Sequence, residues 1–187
     1  MPRKVLTPLL TAIVLALALT VREATAVDDP PVRPHLLVTA ERTGDLRTVE
    51  DLRAAVERGH ARDLWEHIRA RAEEDLAEAP IALEGRNPSY VIVHGTAMRI
   101  MRAALAALIT GDERFRDSAL AQIEAVLDED LWPDWRDSAH LRFPADLRTG
   151  QLARAIGFAY DWLHPMLSEG QRRMIVEGLD RRAIQPF

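Results

Sequence analysis

The sequence predicts an all-α protein built from antiparallel helical hairpins. Apolar residues recur every three to four positions over long stretches, as in Leu64, Trp65, Ile68, Ala72 and Leu76. Helix start and stop signals stand between those stretches, at Thr48 to Asp51, at Gly111-Asp112, at Pro165 and at Ser168 to Gln171. No alternating apolar–polar pattern longer than a few residues marks a strand.

Taken in order, Thr48-Val49-Glu50-Asp51 forms a capping box with Asp in the place of Glu, opening a helix through Leu52, Ala55 and Val56 that ends near Gly59. A second helix spans about 61–79, with Pro80 closing it. Gly85, Asn87 and Pro88 make 81–89 a loop. The third helix, about 90–110, carries Ala97, Ile100, Met101, Ala104, Leu105 and Leu108, more than one apolar stripe, and so packs on two sides. Gly111 ends it and Asp112 caps the fourth, whose inward residues are Phe115, Ala119, Leu120, Ile123, Val126 and Leu127. Residues 128–145 form the longest irregular stretch, with Trp132, Trp135, His140 and Phe143. A fifth helix over 147–163 points Leu152, Ile156, Ala159, Tyr160 and Leu163 inward. The Ser168–Gln171 capping box opens a sixth, with Met174, Ile175 and Leu179 on its apolar face. Short links make the third and fourth, and the fifth and sixth, antiparallel pairs.

The start of the chain reads as an export signal over residues 1–26. Arg3 and Lys4 precede an apolar run from Val5 to Val21, and Ala24-Thr25-Ala26 supplies small residues for cleavage. The run is short for a bilayer span and Pro8 interrupts it, so no stable membrane anchor is expected after cleavage. An extracellular or periplasmic protein follows. Residues 27–46 read as an extended lead-in and the approach to the first helix, and 47–187 as the helical domain. Removing Arg3, Lys4, Arg22 and Glu23 from 24 cations and 29 anions leaves 21 and 28, a net charge of −7. That balance offers no basic face for nucleic acid, yet permits a local arginine cluster facing an acidic polymer. The absence of cysteine excludes disulfides, thiolate chemistry and Cys-held zinc. Lys4 is the only lysine, and the arginines read mostly as solvent-facing helix positions.

Each candidate site residue admits two readings. Trp132 and Trp135 either stack sugar rings or anchor their loop. Tyr90 and His94 are four apart on one helical face, with Asn87 just before them, and either do acid–base work or pack. Tyr160, Asp161 and Trp162 either line a cleft or hold the core, Asp161 by bonding a neighbouring helix end. His140 stands with Asp137 near several serines, but no strained nucleophile turn surrounds any serine. His60 and His67 read as a solvated face. No histidine–carboxylate group has ligand spacing, so neither metal nor cofactor is expected.

Three segments carry a family resemblance. Pro34-His35-Leu36-Leu37-Val38-Thr39 resembles the opening of heparinase II/III-like and alginate lyase-like enzymes. Leu108 to Phe115, containing Thr110-Gly111-Asp112-Glu113-Arg114, is similar to a helix junction of that family. Ala159-Tyr160-Asp161-Trp162-Leu163, with Leu167-Ser168 and Gln171-Arg172, resembles its most specific segment. The resemblance implies the N-terminal part of an (α/α) toroid and β-elimination at uronate units of an acidic polysaccharide of the alginate or glycosaminoglycan class. It also implies that the base and the carboxylate-neutralising groups come from an asparagine–histidine or asparagine–tryptophan segment and later residues, beyond the part matched by Gln185-Pro186-Phe187. No catalytic residue carries over, and Trp132, Trp135, Tyr90, His94, His140 and Tyr160 stand as substrate-binding candidates only. A fragment of a toroid is expected to be inactive alone and to self-associate through exposed apolar faces. The rival readings are a stand-alone helical module binding glycan or protein and a helical repeat scaffold, though no fixed repeat period is present.

Overall fold

The computed structural model describes residues 32–186. The expected export signal, residues 1–26, lies outside the described residues, as do 27–31 and Phe187. The described chain is mostly helical: α1 (Val49–Ala55), α2 (Gly59–Asp75), α3 (Tyr90–Thr110), α4 (Glu113–Leu127), α5 (Leu147–Leu163) and α6 (Glu169–Leu179). Two-residue strands β1 (Val38–Thr39) and β2 (Arg47–Thr48) pair in parallel ahead of α1.

The capping signals act as read. Thr48 and Asp51 form a reciprocal box at α1, Ser168 and Gln171 do so at α6, and Asp112 caps α4. Gly111 ends α3 at φ 72°, a left-handed conformation that glycine adopts without steric cost. A further box, Asp146 with Thr149, starts α5.

α3 is the central element. It makes its largest interface with α5, then with α4, and also packs on α2. Val93, Ile100, Ala103, Ala104, Ala106 and Ala107 are buried along it, and the run of alanines lets neighbouring helices come close. The helix has the length and hydropathy of a membrane span, but its apolar surface lies against the other helices. All six inward residues expected on α4 are buried, as are Leu152, Ile156, Ala159 and Leu163 of α5. α6 approaches α4 closely at Gly178, where a Cβ would stand 2.7 Å from the Cδ atoms of Leu127.

Three expectations need correction. Gly59 begins α2 rather than ending α1, which stops at Ala55. Leu64 faces solvent, because the buried stripe of α2 runs through Trp65, Ala72 and Asp75. α2 ends at Asp75, short of Pro80, because the Arg99 guanidinium of α3 takes the carbonyls of Asp75, Glu78 and Ala79. Arginines close two further helix ends. Arg53 of α1 donates to Leu108 and Ile109 at the end of α3, and Arg172 of α6 to His164 at the end of α5. A cation at a helix C-terminus satisfies orphan carbonyls and complements the helix dipole.

Candidate functional site

Two regions gather chemically capable side chains, one at each end of the paired helices α3 and α5. Asn87, just before α3, accepts from the backbone N–H of Ser138, on the approach to α5. Trp162, at the far end of α5, lies beside Met101 and Leu105 of α3. The two helices therefore run in the same direction, with their N-termini at one end.

The long loop 128–146 covers that N-terminal end, and its tryptophans fix it in place. The Trp132 indole donates to the Ile81 carbonyl at 2.9 Å, and Trp135 donates to the Val126 carbonyl at 3.0 Å. The side-chain amide of Gln122 in α4 grips the same Ile81, its Oε1 accepting from the N–H at 2.8 Å and its Nε2 donating to the carbonyl at 3.0 Å. Trp132 is 0% and Trp135 3% exposed, so neither offers a ring face on which a sugar could stack. Their sugar-stacking reading is corrected: an indole whose N–H is spent on a buried carbonyl is an anchor.

A polar network links this loop to the start of α5. The Asp146 carboxylate accepts from the backbone N–H of Asp137 at 2.9 Å and of Arg148 at 2.8 Å, from the Arg148 guanidinium at 3.2 Å, and faces His140 Nδ1 at 3.1 Å. Burial pushes the Asp146 pKa up, and the hydrogen bonds from Asp137, His140, Arg148 and Thr149 outweigh it, holding the group below its ordinary value. An ionised Asp146 favours the His140 tautomer with its proton on Nδ1, leaving Nε2 as the basic atom. The His140 side chain is 44% exposed, so that atom belongs to a solvent-accessible imidazole. Its carboxylate partner is Asp146, while Asp137 pairs instead with Arg148 at 2.8 Å. Tyr90 and His94 stack on each other at 5.5 Å on the exposed first turn of α3, beyond Asn87.

A cavity of about 380 Å³ opens beside the loop, lined by Glu129, Asp134, Trp135, Arg136, Thr149, Arg181 and Arg182. Arg136 pairs with Asp134 at 2.6 Å, and Arg181 with Glu129 at 3.0 Å. Arg182 lies 5.2 Å over the Trp135 ring and donates to the Trp132 carbonyl. It has no carboxylate within ion-pair distance among the described residues, and burial lowers its pKa. Sequence reasoning missed these arginines. Nothing in Asp180-Arg181-Arg182 distinguishes them from the solvent-facing arginines of the other helices.

The far end holds Tyr160-Asp161-Trp162. Asp161 is wholly buried and accepts from Arg33 at 2.6 Å and from the backbone N–H groups of His35 at 3.0 Å and Leu36 at 2.8 Å. The Trp162 indole donates to the Leu36 carbonyl at 3.1 Å. Asp161 thus clasps the lead-in and not a neighbouring helix end: its Oδ2 takes both consecutive N–H groups of His35 and Leu36, where the chain bends at Leu36 and Leu37. Tyr160 lies under Arg33, 5.2 Å from the guanidinium to the ring centroid, with the His164 ring edge-on at 5.4 Å. It shares no site with Tyr90, His94 or His140. Burial, with Arg172 and Arg33 nearby, pushes the His164 pKa down.

Among the described residues, no group of three or more histidine, aspartate or glutamate side chains is arranged to hold a metal ion. No protein-family model matches the chain, and no curated protein matches it significantly.

Proposed function

We propose that this chain is the N-terminal part of an (α/α) toroid from an exported lyase that acts on uronate-containing polysaccharide, and that its loop end contacts the polymer. The observation that carries the reading is the repeated hairpin arrangement. α3 and α5 lie side by side in one direction, and each is followed by a shorter helix, α4 and α6, packed beside it. Such hairpins are the building unit that an (α/α) toroid would use. The residues of the lead-in and the tyrosine–aspartate–tryptophan segment, which carry the family resemblance, meet in one clasp. Arginines and an accessible imidazole at the loop end suit an acidic sugar chain.

The chain's own residues bind and orient in this reading. The asparagine–histidine or asparagine–tryptophan pair that the resemblance implies for elimination is not present, because the only asparagine is Asn87, followed by Pro88. The purified 187-residue chain is expected to be retained by alginate, heparin or chondroitin gels, and not by neutral dextran, without releasing unsaturated uronate measurable by ultraviolet absorbance. Retention by no acidic polymer removes the reading. Turnover on any of them removes the inactive-fragment part and turns attention to His140.

A second reading is a helical module that binds a partner and does no chemistry. An apolar groove favours it, lined by Ile68 of α2, Met98, Met101 and Leu105 of α3, and Trp162.

A further inference from the structure

We infer that the cavity beside Arg182 is a binding pocket for one carboxylate group, that of a single uronate ring. Three features of the cavity carry this.

The first is charge. Two of its three arginines are neutralised by their own carboxylates, Asp134 and Glu129, and Arg182 is not. The lining residues therefore carry a formal charge of +1, with Glu129, Asp134 and Asp128 close enough to act on Arg182 without pairing to it. A monoanion matches that charge. The second is unused hydrogen-bonding capacity. A guanidinium has five N–H donors in a planar fork. Among the described residues Arg182 places one bond, to the Trp132 carbonyl. The remaining donors are held in a half-buried position by the Trp135 ring beneath them, a preorganised arrangement for an incoming carboxylate. The third is size. About 380 Å³ falls at the small end of the ligand-pocket range, suiting one ring and its substituents more than a stretch of polymer.

The anion preference stands on the cavity. The choice of a uronate as the carrier of the carboxylate rests on the proposed function.

The test uses wild-type protein labelled with nitrogen-15, read at the Trp135 indole N–H, with glucuronate as ligand. Glucose and inorganic phosphate, dianionic at mildly alkaline pH, are the comparison ligands. Arginine modification by phenylglyoxal with mass spectrometry gives a second readout, with exposed Arg58 as the internal reference. Glucuronate at millimolar concentration is expected to shift the Trp135 resonance and to protect Arg182 but not Arg58. Glucose should do neither, and phosphate should act more weakly than glucuronate. Arg182→Gln, checked for a native circular dichroism spectrum, should weaken glucuronate binding about tenfold or more, as expected for losing a hydrogen bond to a charged group. The wild-type protection readout keeps the test decisive if that variant does not fold. Absence of both shift and protection overturns the inference. So does an equal response to phosphate, which would make the cavity an adventitious ion site only. Polymer retention unchanged in Arg182→Gln, with no glucuronate response, removes the pocket and leaves the polymer reading standing. A glucuronate response without retention of any acidic polymer keeps the pocket and removes that reading.

Discussion

Replacing Asp161 by alanine tests whether the lead-in is an integral part of the helical domain. The wild-type carboxylate is wholly buried and joins the end of α5 to a segment some 125 residues earlier in the chain. Two backbone N–H groups, those of His35 and Leu36, lose a charged acceptor, at ~1.5 kcal/mol or more each. The Arg33 pair adds less, because the Arg33 side chain is 27% exposed and partly screened, giving ~1 kcal/mol or below. The sum is about 3–4 kcal/mol. For a domain of this size that lowers the melting temperature by about 6–16 °C. Circular dichroism melts measure the global effect. Native-state hydrogen exchange at the His35 and Leu36 amides measures the local one, where protection should fall toward that of an open segment. Asp161→Asn, which keeps one acceptor oxygen, should fall between wild type and Asp161→Ala. A melt within ~2 °C of wild type, together with unchanged protection of both amides, would refute the reasoning.

Trp162→Ala should cost ~3–5 kcal/mol, the usual effect of deleting a large buried aromatic, with the Leu36 carbonyl losing its indole donor as well; an unchanged melt with glycan retention lost would move Trp162 into the binding surface. Arg99→Met should cost about 1–3 kcal/mol, because the carbonyls of Glu78 and Ala79 lose the guanidinium and that of Asp75 keeps only the Glu78 N–H; urea unfolding showing a loss below ~1 kcal/mol would count against the capping role. Stability should fall in two acid phases. The lowered His164 pKa means the folded state prefers the neutral ring, so its contribution is full above the unfolded value of about 6.5 and is lost as pH falls from there through the folded value; His164→Gln should abolish this phase. The lowered pKa values of Asp134 and Asp146 give a contribution that is full above about pH 4 and lost as pH falls through their folded values. A flat stability profile between neutral pH and pH 5 would sink the His164 assignment.

The helices were legible because their signals are local. A capping box, a glycine at a C-terminus and a 3.6-residue apolar period act within one or two turns, and Thr48, Gly111, Ser168 and the α4 stripe each did what their neighbours dictate. The misplaced end of α2 has the opposite cause: Arg99, which closes it, sits more than twenty residues later in a helix that reads as apolar. The site was less legible for the same reason. Trp132 and Trp135 are ambiguous as types, and only the distant carbonyl of Ile81 and the nearer one of Val126 decide that they anchor the loop. The sequence sets His140 beside Asp137, three residues away, while its carboxylate partner Asp146 lies six away across the turns of the loop. Arg182 gave no sequence signal at all, because what sets it apart is that, among the described residues, no carboxylate comes within ion-pair distance of it, a property of the assembled surface.

The three arginine forks at helix ends have a consequence for how the domain comes apart. Each fork is supplied by a different helix from the one it closes: α1 holds the end of α3, α3 holds the end of α2, and α6 holds the end of α5. An isolated helix frays from its termini, one residue at a time. Here the final turn of α2 can loosen only if it parts from α3, and that of α5 only if it parts from α6. Fraying is thereby converted from a private event of one helix into a shared event of two, and neighbouring helices are coupled at their ends as well as along their apolar faces.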